Sequence, residues 1–414
     1  MHLLVAAAEP LALSDGILPA EDVCTLVAET WTATARGDVD PCVLNPGAAG
    51  FLRALAAHAP EQVAVVARGA GGQDVPVTFR LGPPSATGAR TAYVEAALLR
   101  PAPAHGSASG GVLGAATSYG VGQVVELAAR RASRVVVATG DSGAHDAGAG
   151  MLAALAGAWA GALTHGGAAL GTVTAEDAAL ALSARDALRS VELVGAVESD
   201  LPLLGLHGAS GALALAQPAL APLAQELERA HGHYAHEVTR ALEGTARRDL
   251  LSGPPGLPGV AGPSGPTASL APAGGLTGVA ARAAAGRVLT GLPGAGAGGG
   301  LGFGIAAAGG RLLPGTSLVA DVVGLGARVE AADVAVVVVD RLDASTTHDG
   351  ALPEVARRAA ALGVPVVALA REILAGRREQ AAAGISGAYE LGTDASAARA
   401  RVARVARTWA RSER

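Results

Sequence analysis

Four times along this chain a short run of valine, leucine and alanine passes through a few polar residues into an alanine-rich stretch with helical spacing. "HLLVAAA" leads to "PAEDVCTLVAETWTATAR", and "RVVVATG" leads to "AGAGMLAALAGAWA". Nearer the C-terminus "VAVVVVD" precedes "LPEVARRAAAL", and "VPVVALA" precedes "EILAGRREQAAAG". A strand that is apolar at every position has no solvent face, so both of its sides must be covered. Such strands alternating with helices make a parallel sheet between helical layers, which sets the fold class as α/β. Ligands of these sheets sit at the carboxyl ends of the strands. The turns after Thr139 and Val339 are therefore the first places to look for a site.

The chain is 414 residues long, enough for two ordinary domains. The strand "QDVPVTFRLGP" (73–83) reads as the entry to a different layer, and between Leu251 and Leu292 the composition becomes rich in Pro, Gly and Ser without any period. These breaks predict a discontinuous α/β domain formed by residues 1–75 and 290–414, with a second α/β domain, 76–289, inserted into it. Residues 251–286 read as a flexible loop.

Aromatic residues make up only 2% of the chain, so the core must be built from Ala, Val and Leu. With a net charge of -5 and few rings on which bases could stack, a nucleic-acid role is not expected. Cys24 and Cys42 give no disulfide framework and suit a reducing cytoplasm. The apolar stretch 147–163 approaches membrane-span length, but its Ala and Gly residues gain little by transfer, and it reads as a core helix. All 31 basic residues are arginine. That absence of lysine removes Walker-type phosphate loops and Schiff-base chemistry.

Several motifs could carry chemistry. "PGAGAGGGLGFG" (293–304) holds Gly294, Gly296, Gly299 and Gly300 at the start of an apolar helix, with Asp321 further on. This has the outline of a dinucleotide fingerprint, although "GRVLTGLPG" before it makes a poor strand. With or without a dinucleotide, a glycine turn at a helix start suits a phosphate. "GDSGAHD" (140–146) brings Ser142, His145 and Asp146 to a strand end; a protease reading fails because the segment joins a strand to a helix, and Asp146 could equally cap that helix. His233 and His236 are spaced like two metal ligands, but no third ligand is near them, and a solvated helix face explains them.

Taken in order, these stretches resemble the glycerate kinase family. "AATSYGVGQVVELA" is similar to the family's "ATTYGTGELI", "GDSGAHDAGAGMLAAL" to its "GGSATNDGGAGM", and "PLLG…GAS" (202–210) to its "NPLLGPxGA". "PGAGAGGGLG" answers "PGAGAAGGLG", and 311–350 follows the family's C-terminal portion closely. The resemblance implies two α/β domains around a cleft, the discontinuous one flavodoxin-like. It implies ATP-dependent phosphorylation of glycerate or a similar small hydroxy acid with Mg²⁺. Carried over position by position, it points to Asp343, Asp146 and Arg341 as catalytic residues, with Asp343 on Mg²⁺. Ser142, His145, Thr346, His348, Gly294, Gly296, Gly299 and Gly300 are the implied substrate or phosphate contacts.

The departures fall on the charged positions. Ala8, Glu9 and Leu11 stand where the family has Asp, Ser and Lys; Pro46 and Ala49 replace two carboxylates; and His145 replaces an Asn. In "TGEGRxDxQT" the Gly-Glu pair becomes Val338 and Val339, and Ser345 replaces the Gln, leaving Arg341, Asp343, Thr346 and His348. Phosphoryl transfer depends on positioning and on charge stabilisation. Losing one such group costs on the order of a hundredfold in rate. Two expectations follow: a kinase working with a reduced set of charges, for which Arg53, Arg341 and Asp343 are the candidates for a substitute clamp, or a non-catalytic relative that binds a small acid, a nucleotide or a partner protein.

Overall fold

The computed structural model describes residues 1–100, 110–251 and 288–410, with side chains omitted for 245–251. Of the loop expected over 251–286, Leu251 ends the helix Ala221–Leu251 and residues 252–286 lie outside the described residues. Among the described residues the strands are β1 (His2–Ala7), β2 (Leu11–Leu13), β3 (Gly16–Leu18), β4 (Asp38–Val43), β5 (Glu61–Arg68), β6 (Asp74–Leu81) and β7 (Thr91–Glu95). They continue as β8 (Arg134–Ala138), β9 (Glu192–Val197), β10 (Arg311–Pro314), β11 (Val334–Leu342), β12 (Val366–Ile373) and β13 (Ile385–Glu390).

The first sheet runs β13-β12-β11-β1-β4 with every pair parallel. Counted along its own strands this is the order 5-4-3-1-2, the flavodoxin-like arrangement that the resemblance implied. The central strand β11 shows why its valines are needed. Val334, Val336 and Val338 pack with the helices Ala20–Thr34 and Ala395–Trp409. Ala335, Val337 and Val339 point the other way, onto the helices Leu325–Ala331 and Ala351–Leu362. Alternate residues of a strand face opposite sides, so a strand with two apolar cores must be apolar throughout. β12 extends to Ile373, so "EI" of the expected helix "EILAGRREQAAAG" belongs to the strand and the helix shrinks to Arg377–Ala382.

The second sheet runs β10-β9-β8-β7-β6-β5. Strands β7 to β10 are parallel, while β5 and β6 form an antiparallel pair at the edge. Its β8 alternates in the same manner: Val135 and Val137 pack under the helices of the second layer, Val136 and Ala138 into the core shared with the first sheet. Sheet membership does not coincide with the boundaries expected at 75/76 and 289/290. β5 (Glu61–Arg68) and β10 (Arg311–Pro314) both hydrogen-bond into the second sheet. The strand expected over 73–83 is β6, which continues that sheet after β5 rather than opening a new layer.

The apolar stretch at 147–163 resolves into a buried helix, Ala149–Leu155, followed by turns. Among the described residues no helix is long and apolar enough to cross a membrane. The helix Ala175–Ala187 starts on a capping box, Thr174 accepting the Asp177 N–H and Asp177 accepting the Thr174 N–H.

Candidate functional site

The segment after β4 crosses from the first sheet onto the carboxyl ends of β7, β8 and β9. The Asn45 side-chain oxygen Oδ1 accepts the N–H groups of Gly47 (2.9 Å) and Ala48 (3.0 Å), which bends the chain. Gly140 N–H then donates to Gly47 O at 2.9 Å. Asp141, a non-glycine residue at φ 55°, accepts Ala49 N–H at 3.3 Å. Glu95, the last residue of β7, accepts Gly50 N–H and Leu52 N–H, both at 2.9 Å. The carboxyl ends of both sheets are thereby brought together.

At the end of β11 every charged side chain is tied to the protein. Asp340 accepts two hydrogen bonds from Arg371 and one from Ala12 N–H, all at 2.9 Å. The Arg371 guanidinium holds the Asp340 carboxyl below the usual carboxylate range. Arg341 Nε lies 3.3 Å from Glu372 Oε2. Asp343 Oδ1 accepts from the Ser345 hydroxyl (2.6 Å), Ser345 N–H (3.0 Å) and Thr346 N–H (3.2 Å), and those bonds lower its pKa. Thr346 Oγ1 in return accepts Asp343 N–H at 2.9 Å. Asp343 and Thr346 thus build a turn of their own, of the kind short polar side chains favour. The valine strand thus ends in charges that make hydrogen bonds or ion pairs within the chain, with the Arg341 side chain half exposed.

Beside this turn lies a cleft of about 420 Å³. Ser345, His348 and Asp349 form one wall; Ser199, Asp200, Pro293 and Pro314 form the other. Among its lining residues Asp200 and Asp349 are acidic and His348 is the basic one. Partial burial and the nearby Asp349, Asp340 and Asp343 raise the Glu9 carboxyl.

The glycine-rich motifs are occupied from within. Gly298, Gly299 and Gly300 are consecutively left-handed, with φ of 60°, 69° and 90°. A Cβ on Gly298 would stand 2.3 Å from Thr139 O, and one on Gly296 2.3 Å from Pro202 O, so these glycines let backbone pack on backbone. Gly298 N–H donates to Glu198 Oε1 at 2.8 Å, and the Thr139 hydroxyl donates to Glu198 Oε2 at 2.6 Å. Ser142 Oγ donates to Gly298 O at 2.9 Å. In the second motif Asp146, 1% exposed, accepts Ser118 N–H (2.7 Å), the Ser118 hydroxyl (2.9 Å), and the N–H groups of Gly148 and Gly150 (both 3.1 Å). Burial raises the carboxyls of Glu95, Asp146 and Glu198, with these hydrogen bonds opposing it.

His145 is buried as well. Its Nε2 lies 3.3 Å from Ser210 Oγ, and its ring stacks on His231 with centroids 5.2 Å apart. Burial and the second imidazole push His145 down to about 3, and burial pushes His231 down to about 4, so both rings are neutral at ordinary pH. His233 Nε2 bonds Val173 O at 2.8 Å and His236 lies beside Glu237.

The structure therefore brings Asp343, Thr346 and His348 into one turn, and Ser142 together with the glycine motif of Gly294, Gly296, Gly299 and Gly300. It does not bring Asp146 to Asp343: Asp146 is enclosed among Thr117, Ser118 and the glycines, and the two share no partner. Nor do the residues of the substitute clamp converge, because Arg53 pairs with Glu21 at 3.0 Å and Arg341 with Glu372. Among the described residues no three of His, Cys, Asp and Glu are placed to hold a metal ion. The nicotinamide alternative lacks its βαβ unit, since residues 288–290 are helical and Asp321 sits on the helix Gly315–Val322. Sequence reasoning missed Glu95, Asp141 and Glu198. The signal was present for two of them: "TAYVE" and "LVGAVE" are apolar runs ending in a carboxylate, the same pattern as "VAVVVVD".

A flavodoxin-like parallel sheet joined to a second α/β sheet, with glycine turns and a cleft at the strands' carboxyl ends, defines a two-unit α/β scaffold of the kind that binds small ligands. The sequence model of the glycerate kinase family matches residues 15–413, and the chain belongs to that family. The fold is similar to that of a solved structure described as "putative glycerate kinase 2 from Salmonella typhimurium LT2". The two share 21% sequence identity with a TM-score of 0.62, over 99% of this chain and 96% of that one. A search of curated proteins gave no match.

Proposed function

We propose that this chain keeps the glycerate kinase scaffold as a binding protein for a small hydroxy acid or a nucleotide, with ATP-dependent phosphoryl transfer weak or absent. The observation that supports this best is that the groups phosphoryl transfer would use are already bonded to other groups of the chain. Asp343 closes its own turn, Arg341 pairs with Glu372, and Asp146 is sealed in the interior. Val338 and Val339 are buried in the core at positions where the resemblance places Gly and Glu. Transition-state stabilisation needs preorganised charges aimed at the transferring group, and charges satisfied elsewhere are not aimed at it.

The test is titration calorimetry of ATP with Mg²⁺, with and without glycerate, followed by a coupled ADP-release assay on the same sample. Binding heat without turnover is the expected result. Turnover in the usual kinase range of about 1–100 s⁻¹, abolished in Asp343→Ala, would overturn the reading and establish a kinase that runs on fewer charges.

A further inference from the structure

A second cavity, of about 350 Å³, lies at the amino ends of β7 and β8. Of their lining residues, this cavity and the cleft share Pro314. Its floor is one face of the second sheet: Thr91 pairs with Arg134 and Tyr93 with Val136 in parallel register, so the four side chains stand on the same side. Its roof is the helix Gly315–Val322, whose Leu318 and Val322, four positions apart, share a helix face. Together with Val136 and Leu313 they make the walls apolar.

Two polar groups of this cavity are not used by the chain. Tyr93 is 7% exposed, yet among the described residues its hydroxyl has no hydrogen-bond partner, although a buried phenol usually finds one. Arg134 Nε is buried without a hydrogen-bond partner, because Glu192 Oε2, with which it forms an ion pair, lies 3.6 Å away. Glu192 also pairs with Arg311, so two guanidinium groups share one carboxylate. The two unused groups are neighbours: burial raises the Tyr93 phenol, and the Arg134 guanidinium acts against that rise. The phenol therefore keeps its proton near neutral pH and can donate it. Ser317 and Asp321, which also line the cavity, are engaged, the first donating to Glu354 at 3.1 Å and the second accepting from Arg358 at 2.8 Å.

We infer that this cavity is a second ligand site, for a small monocarboxylate with an apolar body. Arg134 and the Tyr93 hydroxyl take the carboxylate, with the Thr91 hydroxyl on the same sheet face, and the apolar walls take the rest of the molecule. Among the described residues that line the cavity Arg134 is the one cation. It matches a single negative charge, whereas a phosphate or nucleotide brings further charge for which the lining holds no second cation. The site stands apart from the cleft and does not rest on the proposed function.

The inference is tested by calorimetric titration of benzoate into the full chain near neutral pH at constant ionic strength, with benzyl alcohol as the uncharged counterpart. Wild type is expected to bind benzoate saturably and benzyl alcohol about tenfold or more weakly. Arg134→Gln should weaken benzoate by about tenfold or more, and Tyr93→Phe, which keeps the ring, by about threefold to tenfold. No saturable binding to wild type up to about 20 mM benzoate, or equal affinity for the alcohol, overturns the inference. So does wild-type affinity in an Arg134→Gln variant that unfolds cooperatively. If that variant fails to fold, Tyr93→Phe decides, and unchanged affinity there overturns it. Arg130, exposed at the end of the helix Tyr119–Ala129 and paired with Glu126, is the control for net charge. An equal loss in Arg130→Gln would assign the effect to net charge, and an equal loss in His348→Ala would place benzoate in the cleft; either overturns the inference. Neither ATP nor glycerate is present, so an active kinase would refute the proposed function and leave this result standing.

Discussion

Replacing Asp146 by alanine separates a catalytic reading of this residue from a structural one. The wild-type carboxylate is fully buried and accepts three backbone N–H groups, from Ser118, Gly148 and Gly150, as well as the Ser118 hydroxyl. It holds the starts of two helices, Tyr119–Ala129 and Ala149–Leu155, against each other. A buried donor left without an acceptor costs about 1–3 kcal/mol. Three backbone donors would total more, but removing the carboxylate also recovers the cost of burying it, which is why its pKa is raised. The net loss expected is therefore roughly 3–6 kcal/mol, a large share of the ~5–15 kcal/mol available to a folded protein. Asp146→Asn keeps one acceptor oxygen and should lose only about 1–2 kcal/mol. Urea unfolding followed by circular dichroism reads both, as a lower midpoint with an unchanged slope. A loss below about 1 kcal/mol in Asp146→Ala would refute the reasoning. So would a gain in stability, the signature of a charge strained for function.

Two further predictions concern other buried groups. The folded pKa values of His145 and His231, about 3 and about 4, lie below the ordinary value of 6.5. Groups depressed in this way contribute stability that is present above pH 6.5 and lost as pH falls towards 4. The loss approaches about 1.4 kcal/mol per pH unit for each ring. Urea midpoints measured from pH 7 down to 4.5 should fall, and His231→Asn should flatten the fall; an unchanged profile in that variant would reject the assignment. The thiols of Cys24 and Cys42 are pushed up to about 12 and about 11, chiefly by burial. Neither should react with a thiol reagent at pH 8 until urea unfolds the chain, and a fast reaction of the native protein would contradict their burial.

The fold was largely legible because it is written in periodicity. The uninterrupted valines of "VAVVVVD" demanded a strand with a core on each side, and β11 has one on each side. The pairing of β6 with β5 was not readable, because which sheet a strand joins depends on its partners, not on its own residues. The site was less legible. "GDSGAHD" and "PGAGAGGGLG" announced close approach at a strand end, and the approach is there. In the first, Asp146 of the motif itself accepts the Gly148 and Gly150 N–H groups, but in the second what fills the space could not be read locally: the Gly298 N–H is accepted by Glu198, 100 positions away, as the Gly50 and Leu52 N–H groups after β4 are accepted by Glu95, 43 to 45 positions away. A motif shows that N–H groups are presented. It does not show which carboxylate of the folded chain reaches them.

One face of the second sheet has consequences for how the molecule can move. Val136, Ala138, Val194 and Ala196 belong to the same apolar cluster as Leu4, Ala6, Val337 and Leu352 of the first unit, and the rings of Phe51 and Tyr93 meet across the join with centroids 6.2 Å apart. A chain built in this way has no dry seam along which one half could be cut from the other. Either half expressed alone would present a greasy, unpartnered sheet face and precipitate. Rocking of one half against the other would likewise have to tear a packed interior. Ligands must then enter by movement of the turns at the rim, and the molecule should melt as one piece.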